Sequence, residues 1–402
     1  MTVAAKTIGE SCEVGDGTHS KIKREDSGIL YLTCRNFKEG RIDKSKVYFI
    51  SEENFAKYFQ NGKKALICPQ PGDLVFSIIG TIGEPYLIRP SDHFGISSSV
   101  AIVRPHRDEI DPQFLYYWMR APAFQGALFA IKGGVAQGYV SLEMIRSLPA
   151  PNIHLPTQRK IAGILSAYDD LIENNLRRIR ILEEMAQSLY REWFVHFRYP
   201  GHESVPLTDS PLGPIPQGWE VKKIGELADQ MRRGVAKGKL DEPTPYVGLE
   251  HIPRISLALN DWDIVEELGS NKLTFEPGEV LFGKIRPYFH KVSIAPFEGI
   301  CSADTIVIRS KTEECRALVI SCVFSEAFVA HASATANGAK MPRADWKVLK
   351  DYQVIVPDGE LLKKFSSVFE DVDFQTRNLI RRIQTLRQTR DLLLPKFLSP
   401  SN

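Results

Sequence analysis

The sequence predicts an α+β protein: two β-rich globular modules related by pseudo-twofold symmetry, joined by two long antiparallel coiled-coil helices. Three observations carry this. A heptad pattern of apolar residues runs from Ile161 to Trp193, the pattern returns 204 residues later, and the residues ahead of each run share one framework.

The first run places Ile161, Leu165, Tyr168, Ile172, Ile179, Leu182, Ala186, Leu189 and Trp193 at alternating steps of four and three. Charged residues such as Asp169, Glu173, Arg177, Arg178 and Glu184 stand between them. A sustained 3.5-residue repeat makes a helix that packs lengthwise on another helix. At the α-helical rise the run is on the order of 50 Å long, so it calls for an equally long partner. Asn175 fills the one gap in the seam. A polar residue there either fixes the register at some loss of stability or is a simple exposed gap.

The partner lies in the same chain. At the offset that takes Ile161 to Phe365, the seam returns as Phe365, Phe369, Val372, Leu379, Ile383, Leu386, Leu393 and Phe397. Thr376 and Arg390 interrupt it, and Arg381-Arg382-Ile383 repeats Arg177-Arg178-Ile179 letter for letter. Two unrelated amphipathic helices would have no reason to share one offset. The second helix is expected to end at Pro395.

The modules repeat as well, and an internal repeat takes precedence over any motif. Thr7-Ile-Gly-Glu10 is answered by Lys223-Ile-Gly-Glu226, and Pro71-Gly-Asp-Leu-Val-Phe76 by Pro277-Gly-Glu-Val-Leu-Phe282. Pro-Gly followed by β-forming residues marks a turn into a strand. Gly95-Ile-x-Ser98 and Arg104 are answered by Gly299-Ile-x-Ser302 and Arg309. The expected division is a first module at 1–151, a first long helix at 152–198, a Pro/Gly-rich linker at 199–217, a second module at 218–357 and a second long helix at 358–402. Outside the framework the modules differ almost everywhere.

At 402 residues the chain has room for two or three domains. Its 43% apolar and 25% charged residues are those of an ordinary globular protein. No apolar run approaches the roughly 18 residues of a membrane span, and Met1-Thr-Val-Ala-Ala-Lys6 lacks the apolar stretch of a signal peptide. A cytoplasmic protein without membrane attachment is expected. Cys12, Cys34, Cys68, Cys301, Cys315 and Cys322 form no Cys-x-x-Cys pair, so they read as reduced thiols, with no metal site. The net charge of +2 is small; any nucleic-acid binding must rest on local basic patches.

Two similar modules on paired helices suit a ligand with its own dyads and a fixed repeat, which double-stranded DNA has. Unlike modules would read unlike half-sites, and helix length would set the base pairs left unread. In the first module the donors suited to phosphates and base edges are Thr18, His19, Lys21, Arg24, Arg35, Asn36, Thr81, Lys132, Gln137 and Tyr139. In the second, Arg232, Arg233, Lys237 and Lys239 form the densest basic cluster. Lys284, Arg286, Tyr288 and Lys291 form a basic-aromatic loop, and Lys340 and Arg343 add a third group. No catalytic residues are expected: the chain has no Asn-Pro-Pro-aromatic loop for a flipped base and no phosphate-binding Gly-rich loop. Asp358 and Glu360, at a helix start, suit a cap and dipole better than a nuclease.

On these residues the chain resembles the specificity (S) subunits of type I restriction–modification enzymes, over essentially its whole length. The most specific stretch is Leu155-Pro-Thr-Gln-Arg-Lys-Ile-Ala-Gly-Ile-Leu-Ser-Ala-Tyr-Asp-Asp-Leu-Ile-Glu173, with Leu189-Tyr-Arg-Glu-Trp-Phe194 after it. Gly17-Thr-His19, Gly72-Asp-Leu-Val-Phe76, Gly278-Glu-Val-Leu-Phe282 and Asn337-Gly-Ala-Lys-Met-Pro-Arg343 support it. The second copy departs from the pattern: Pro357-Asp-Gly-Glu replaces Pro-Thr-Gln-Arg, and Arg286-Pro287 stands where the first has Gly80-Thr81. The resemblance implies that each module is a target recognition domain for half of a bipartite, asymmetric DNA site. It implies helices that dock two methyltransferase (M) subunits and, through them, restriction (R) subunits. S-adenosylmethionine, ATP and magnesium would belong to those partners, which methylate adenine and cleave DNA. The other readings are a non-catalytic coiled-coil adaptor for proteins, and a specificity subunit serving a fused methylase-nuclease.

Overall fold

The computed structural model describes residues 6–38, 40–60, 66–80, 82–132 and 138–398. The chain forms two compact units, one of Met1–Asp170 and Leu386–Asn402, the other of Leu171–Thr385.

In the first unit a four-stranded antiparallel sheet runs in the order Cys12–Asp16, Val100–Pro105, Leu74–Ser77, Tyr86–Leu87. Alternate residues of a strand face opposite sides, and here both sides are covered. Leu74, Phe76, Ala101 and Val103 pack with the helical residues Phe114, Leu115, Trp118 and Phe124. Val75 and Ile102 pack on the other side with Leu32, Phe94 and Ile96 of a second sheet. That sheet runs Tyr48–Ile50, Ile29–Leu32, Phe94–Ile96, its last two strands parallel.

The second unit repeats the layers. Its four-stranded sheet runs Ala228–Met231, Thr305–Ser310, Val280–Gly283, Val292–Ile294. Val280 and Phe282 face the helices Glu313–Phe324 and Glu326–Ala334, while Leu281 packs with Val247, Phe275 and Cys301 of the other sheet. That sheet has five strands, with Gly238–Val247 parallel to Gly299–Cys301. Among the described residues no single helix is long and apolar enough to cross a membrane.

The framework motifs have local reasons. Glu10 accepts the Thr7 amide at 2.7 Å and Glu226 the Lys223 amide at 2.8 Å, closing a first helical turn in each unit. Ile8 then donates to Leu148 O and Ile224 to Tyr352 O, both at 2.8 Å. A Cβ on Gly9 would come within 2.8 Å of Arg146 Cβ, and one on Gly225 within 3.0 Å of Lys350 O, so glycine follows isoleucine for lack of room. After each Pro-Gly turn an acid holds an arginine of the strand that pairs with the one it opens. Arg104 donates to both Asp73 oxygens at 2.8 and 2.7 Å, and Arg309 Nε donates to Glu279 at 2.8 Å.

The first long helix spans Leu155–Tyr190 and continues as a π turn through Arg191–Val195. Gln158, buried, fixes its start: the side chain accepts from Asp111 N and donates to Glu109 O and Ile153 O. Asp358 caps the second, accepting from Glu360 N and Leu361 N at 3.0 and 2.9 Å. That helix runs Gly359–Leu398, with Pro395 inside it. The expected end at Pro395 is therefore corrected: Leu394 and Leu398 are buried on either side of the proline, and that packing holds a last turn that lacks one hydrogen bond.

Each unit contains an antiparallel helix pair. In the first, Ile161 and Leu165 share a core with Leu394 and Leu398, and Arg390 meets Asp169. In the second, the Phe365 ring lies 4.7 Å from Phe194 and 6.4 Å from Tyr190. Of the seam, Leu165, Ile172, Asn175, Ile179, Phe369, Leu379 and Ile383 are buried. Tyr168, Leu182, Leu189, Val372, Leu386 and Leu393 are half-buried. Asn175 is thus no exposed gap.

The linker residues Tyr199 and Ile215 are buried with Trp219 in the second unit, and Leu207–Thr208 pairs with Ile215–Pro216.

Candidate nucleic-acid interface

One rim recurs in both units. The loop after the strand Leu74–Ser77 is stitched to a later one: Val140 N donates to Ile78 O at 3.0 Å and Ile79 bridges Tyr139. In the second unit Ala344 N donates to Lys284 O at 3.0 Å and Ile285 bridges Arg343. Next along the chain, Gly80 takes φ 80° and Arg286 φ 49°. The same backbone thus presents a bare glycine in one unit and a guanidinium in the other.

The second rim gathers more than half of the cations expected from sequence in the second module. Tyr288, Lys340 and Arg343 are exposed and Arg286 is half-buried. Arg343 Nη2 is 3.5 Å from Asp304 Oδ1, and Lys284 Nζ donates to Ala303 O at 2.7 Å. Lys291 Nζ donates to Leu249 O, and burial, helped by neighbouring Arg254, lowers its pKa. Sequence reasoning missed Arg254 and Ile255, which the Arg254–Lys291 bridge brings to this rim; no spacing links residues so far apart. At the first rim Tyr139 is exposed and Lys132 ends the helix Pro122–Lys132. Thr81 and Gln137 lie outside the described residues.

A second group surrounds the loop after Cys12–Asp16. His19 is exposed, with Nε2 2.6 Å from Asp16 Oδ2. Lys21 and Arg35 are exposed, and the Arg24 guanidinium lies 3.6 Å from the centre of the Tyr48 ring. Two residues are corrected here. Asn36 is buried; its side chain accepts from Thr33 N and donates to Asp43 O and Lys46 O, so it braces a turn. Thr18 is buried and accepts from Ser20 N. Asn36 has no polar group left to offer a base, and burial closes off Thr18.

The basic cluster of the second module splits. Arg232, Lys237 and Lys239 are exposed. Arg233 is corrected to a structural role: it donates to Glu276 at 2.7 Å and to Glu279, the carboxylates that also hold Arg309. Sequence cannot separate a cation facing solvent, such as Arg232, from its neighbour locked to acids over forty positions later.

All six cysteines are free thiols, and burial pushes Cys12, Cys301 and Cys322 to about 12. Those three stay protonated at neutral pH. Among the described residues no three His, Cys, Asp or Glu side chains converge as a metal site would need.

The chain carries two differently decorated copies of one α+β module, each followed by a long helix. Residues 2–184 match the family model of the type I restriction modification DNA specificity domain. The type I restriction enzyme MjaIX specificity subunit of Methanocaldococcus jannaschii is 25% identical over 73% of this chain and 69% of that protein. The EcoDI specificity subunit of Escherichia coli is 28% identical over 60% of each. The crystal structure of the type I restriction-modification S subunit from M. genitalium shares the fold, with a TM-score of 0.55 at 15% identity over 99% of this chain and 96% of that one. The chain is thus similar to the specificity subunits of type I restriction enzymes, and its residues 2–184 carry the match to the DNA specificity domain.

Proposed function

We propose that this chain reads a bipartite, asymmetric DNA site, one module per half-site, and has no catalytic role of its own. The observation behind this is the recurring rim, in which one backbone arrangement carries Ile79, Gly80 and Tyr139 in one copy and Ile285, Arg286 and Arg343 in the other. A shared scaffold with unlike side chains is what two unlike half-sites require, and exposed arginines and lysines supply the phosphate contacts that fix register. Those cations also favour DNA over a protein-binding adaptor.

On this reading the long helices dock methyltransferase (M) subunits, two per chain, and restriction (R) subunits join through them. Helix length sets the unread spacer. S-adenosylmethionine, ATP and magnesium serve the partners' methyl transfer and cleavage.

A mobility-shift assay with reconstituted M subunits tests the proposal. Retardation should be confined to duplexes carrying one bipartite motif and should weaken with salt. No sequence-selective retardation at any salt would favour the adaptor.

A further inference from the structure

Three non-glycine residues of the second module adopt left-handed backbone together: Ile255 at φ 54°, Arg286 at 49° and His290 at 52°. Among the described residues only Phe197 joins them. A β-branched residue there is a true outlier, and such strain persists where the surroundings over-determine it, often at sites that use it. The surroundings here are specific. Ile255 N donates to His290 O at 2.9 Å, Arg286 N donates to Pro342 O at 2.8 Å, and His290 Nε2 donates to Phe324 O at 2.8 Å.

The strained residue is also the one that projects. Ile255, 70% exposed, is the most exposed large apolar side chain among the described residues, and Tyr288, 55% exposed, shares its rim. Cations flank them: the Arg254 guanidinium lies 4.2 Å from the centre of the Phe289 ring and that of Arg286 5.9 Å. The first module shows that this strain is not required by the fold. Its counterpart of Arg286 is Gly80, which takes the left-handed conformation without a side chain to clash. A projecting aliphatic side chain on an over-determined loop, bordered by arginines, is the arrangement with which proteins enter a base step and anchor on the flanking phosphates.

We propose that Ile255 is a wedge that enters one base step of the half-site read by the second module. Tyr288 stacks on the opened base, and Arg254 and Arg286 bind the phosphates on either side. Part of that half-site is then selected by how readily a step unstacks, which favours a pyrimidine–purine step. The inference rests on the DNA reading above.

The test uses the full chain with its M subunits and duplexes carrying the methylated motif, with 2-aminopurine at successive positions of the half-site. The wild type should raise fluorescence at one step. Ile255→Gly, which relieves the backbone strain and so leaves folding secure, should abolish the rise and weaken binding about ten-fold; Ile255→Leu should retain both. A duplex with an abasic nucleotide at that step, already unstacked, should bind wild type and Ile255→Gly equally. An unchanged fluorescence rise in Ile255→Gly, or a binding defect that the abasic duplex does not rescue, would overturn the wedge and leave the DNA reading intact. A wild-type complex that binds no duplex would overturn both.

Discussion

Arg390 Nη1 lies 2.5 Å from Asp169 Oδ1, while Tyr117 donates to the other oxygen of that carboxylate at 2.7 Å. The contact ties the second long helix to the first and to the module helix Pro112–Arg120 within one unit. The repeat keeps the acid: at the same 204-residue offset Asp373, buried, accepts from Arg316 at 2.8 Å. Each copy thus fastens its module to its own long helix through an aspartate at the same place.

Removing one member strands a largely desolvated charge. Arg390→Ala should cost about 2–3 kcal/mol, and adding Asp169→Ala should cost much less than its effect alone. A double-mutant cycle in urea measures this; additive losses would show the pair to be uncoupled.

Glu183 makes stability depend on pH. It is buried and accepts from Ser256 Oγ and Ala258 N, both at 2.8 Å, and burial raises its pKa. The folded chain then holds this proton more tightly than the unfolded one, so the contribution is full at low pH. It is lost as pH rises from about 4.3, the ordinary glutamate value, through the raised value. Relative to wild type, Glu183→Gln should become more stable across that rise. A stability difference that stays constant with pH would contradict the assignment.

Rim cations and buried braces should behave differently. Arg286→Ala and Arg343→Ala should weaken DNA binding and lower the salt slope by about 1 each where a phosphate contact is lost. Asn36→Ala should instead lower stability by about 2 kcal/mol through its unpaired neighbours. Titrations at several salt concentrations, beside melting curves, separate the two. A salt slope unmoved in both arginine variants would remove the rim from the interface.

If helix length sets the spacer, deleting the heptad Ile172–Arg178 should shorten the unread segment by about three base pairs, roughly 10 Å of helix, or prevent assembly. The methylated motif reports the spacer. An unchanged spacer in an assembled complex would refute the ruler.

Much of this was legible in the sequence because it is periodic or repeated. The heptads located both long helices and named residues that prove buried, among them Leu165, Ile172, Ile179, Phe369 and Ile383. The Ile-Gly-Glu and Pro-Gly-acid matches marked real contacts, the close approach at Gly9 and Gly225 and the acid–arginine pairs at Arg104 and Arg309. Side-chain roles at the rims were less legible. Whether Arg233 or Arg232 faces solvent depends on acids at 276 and 279. Asn36 looked like a donor until the turn around it claimed each of its bonds. Ile255 gave no signal at all, since a left-handed isoleucine is fixed by contacts with residues over thirty positions away.

The central claim is that two modules read two halves of one site independently. The direct measurement is the methylated motif, determined by sequencing modified DNA, for this chain and for a variant with residues 7–151 replaced by another such module. One half of the motif should change while the other half and the spacer stay fixed. A change in both halves, or in neither, would contradict that claim.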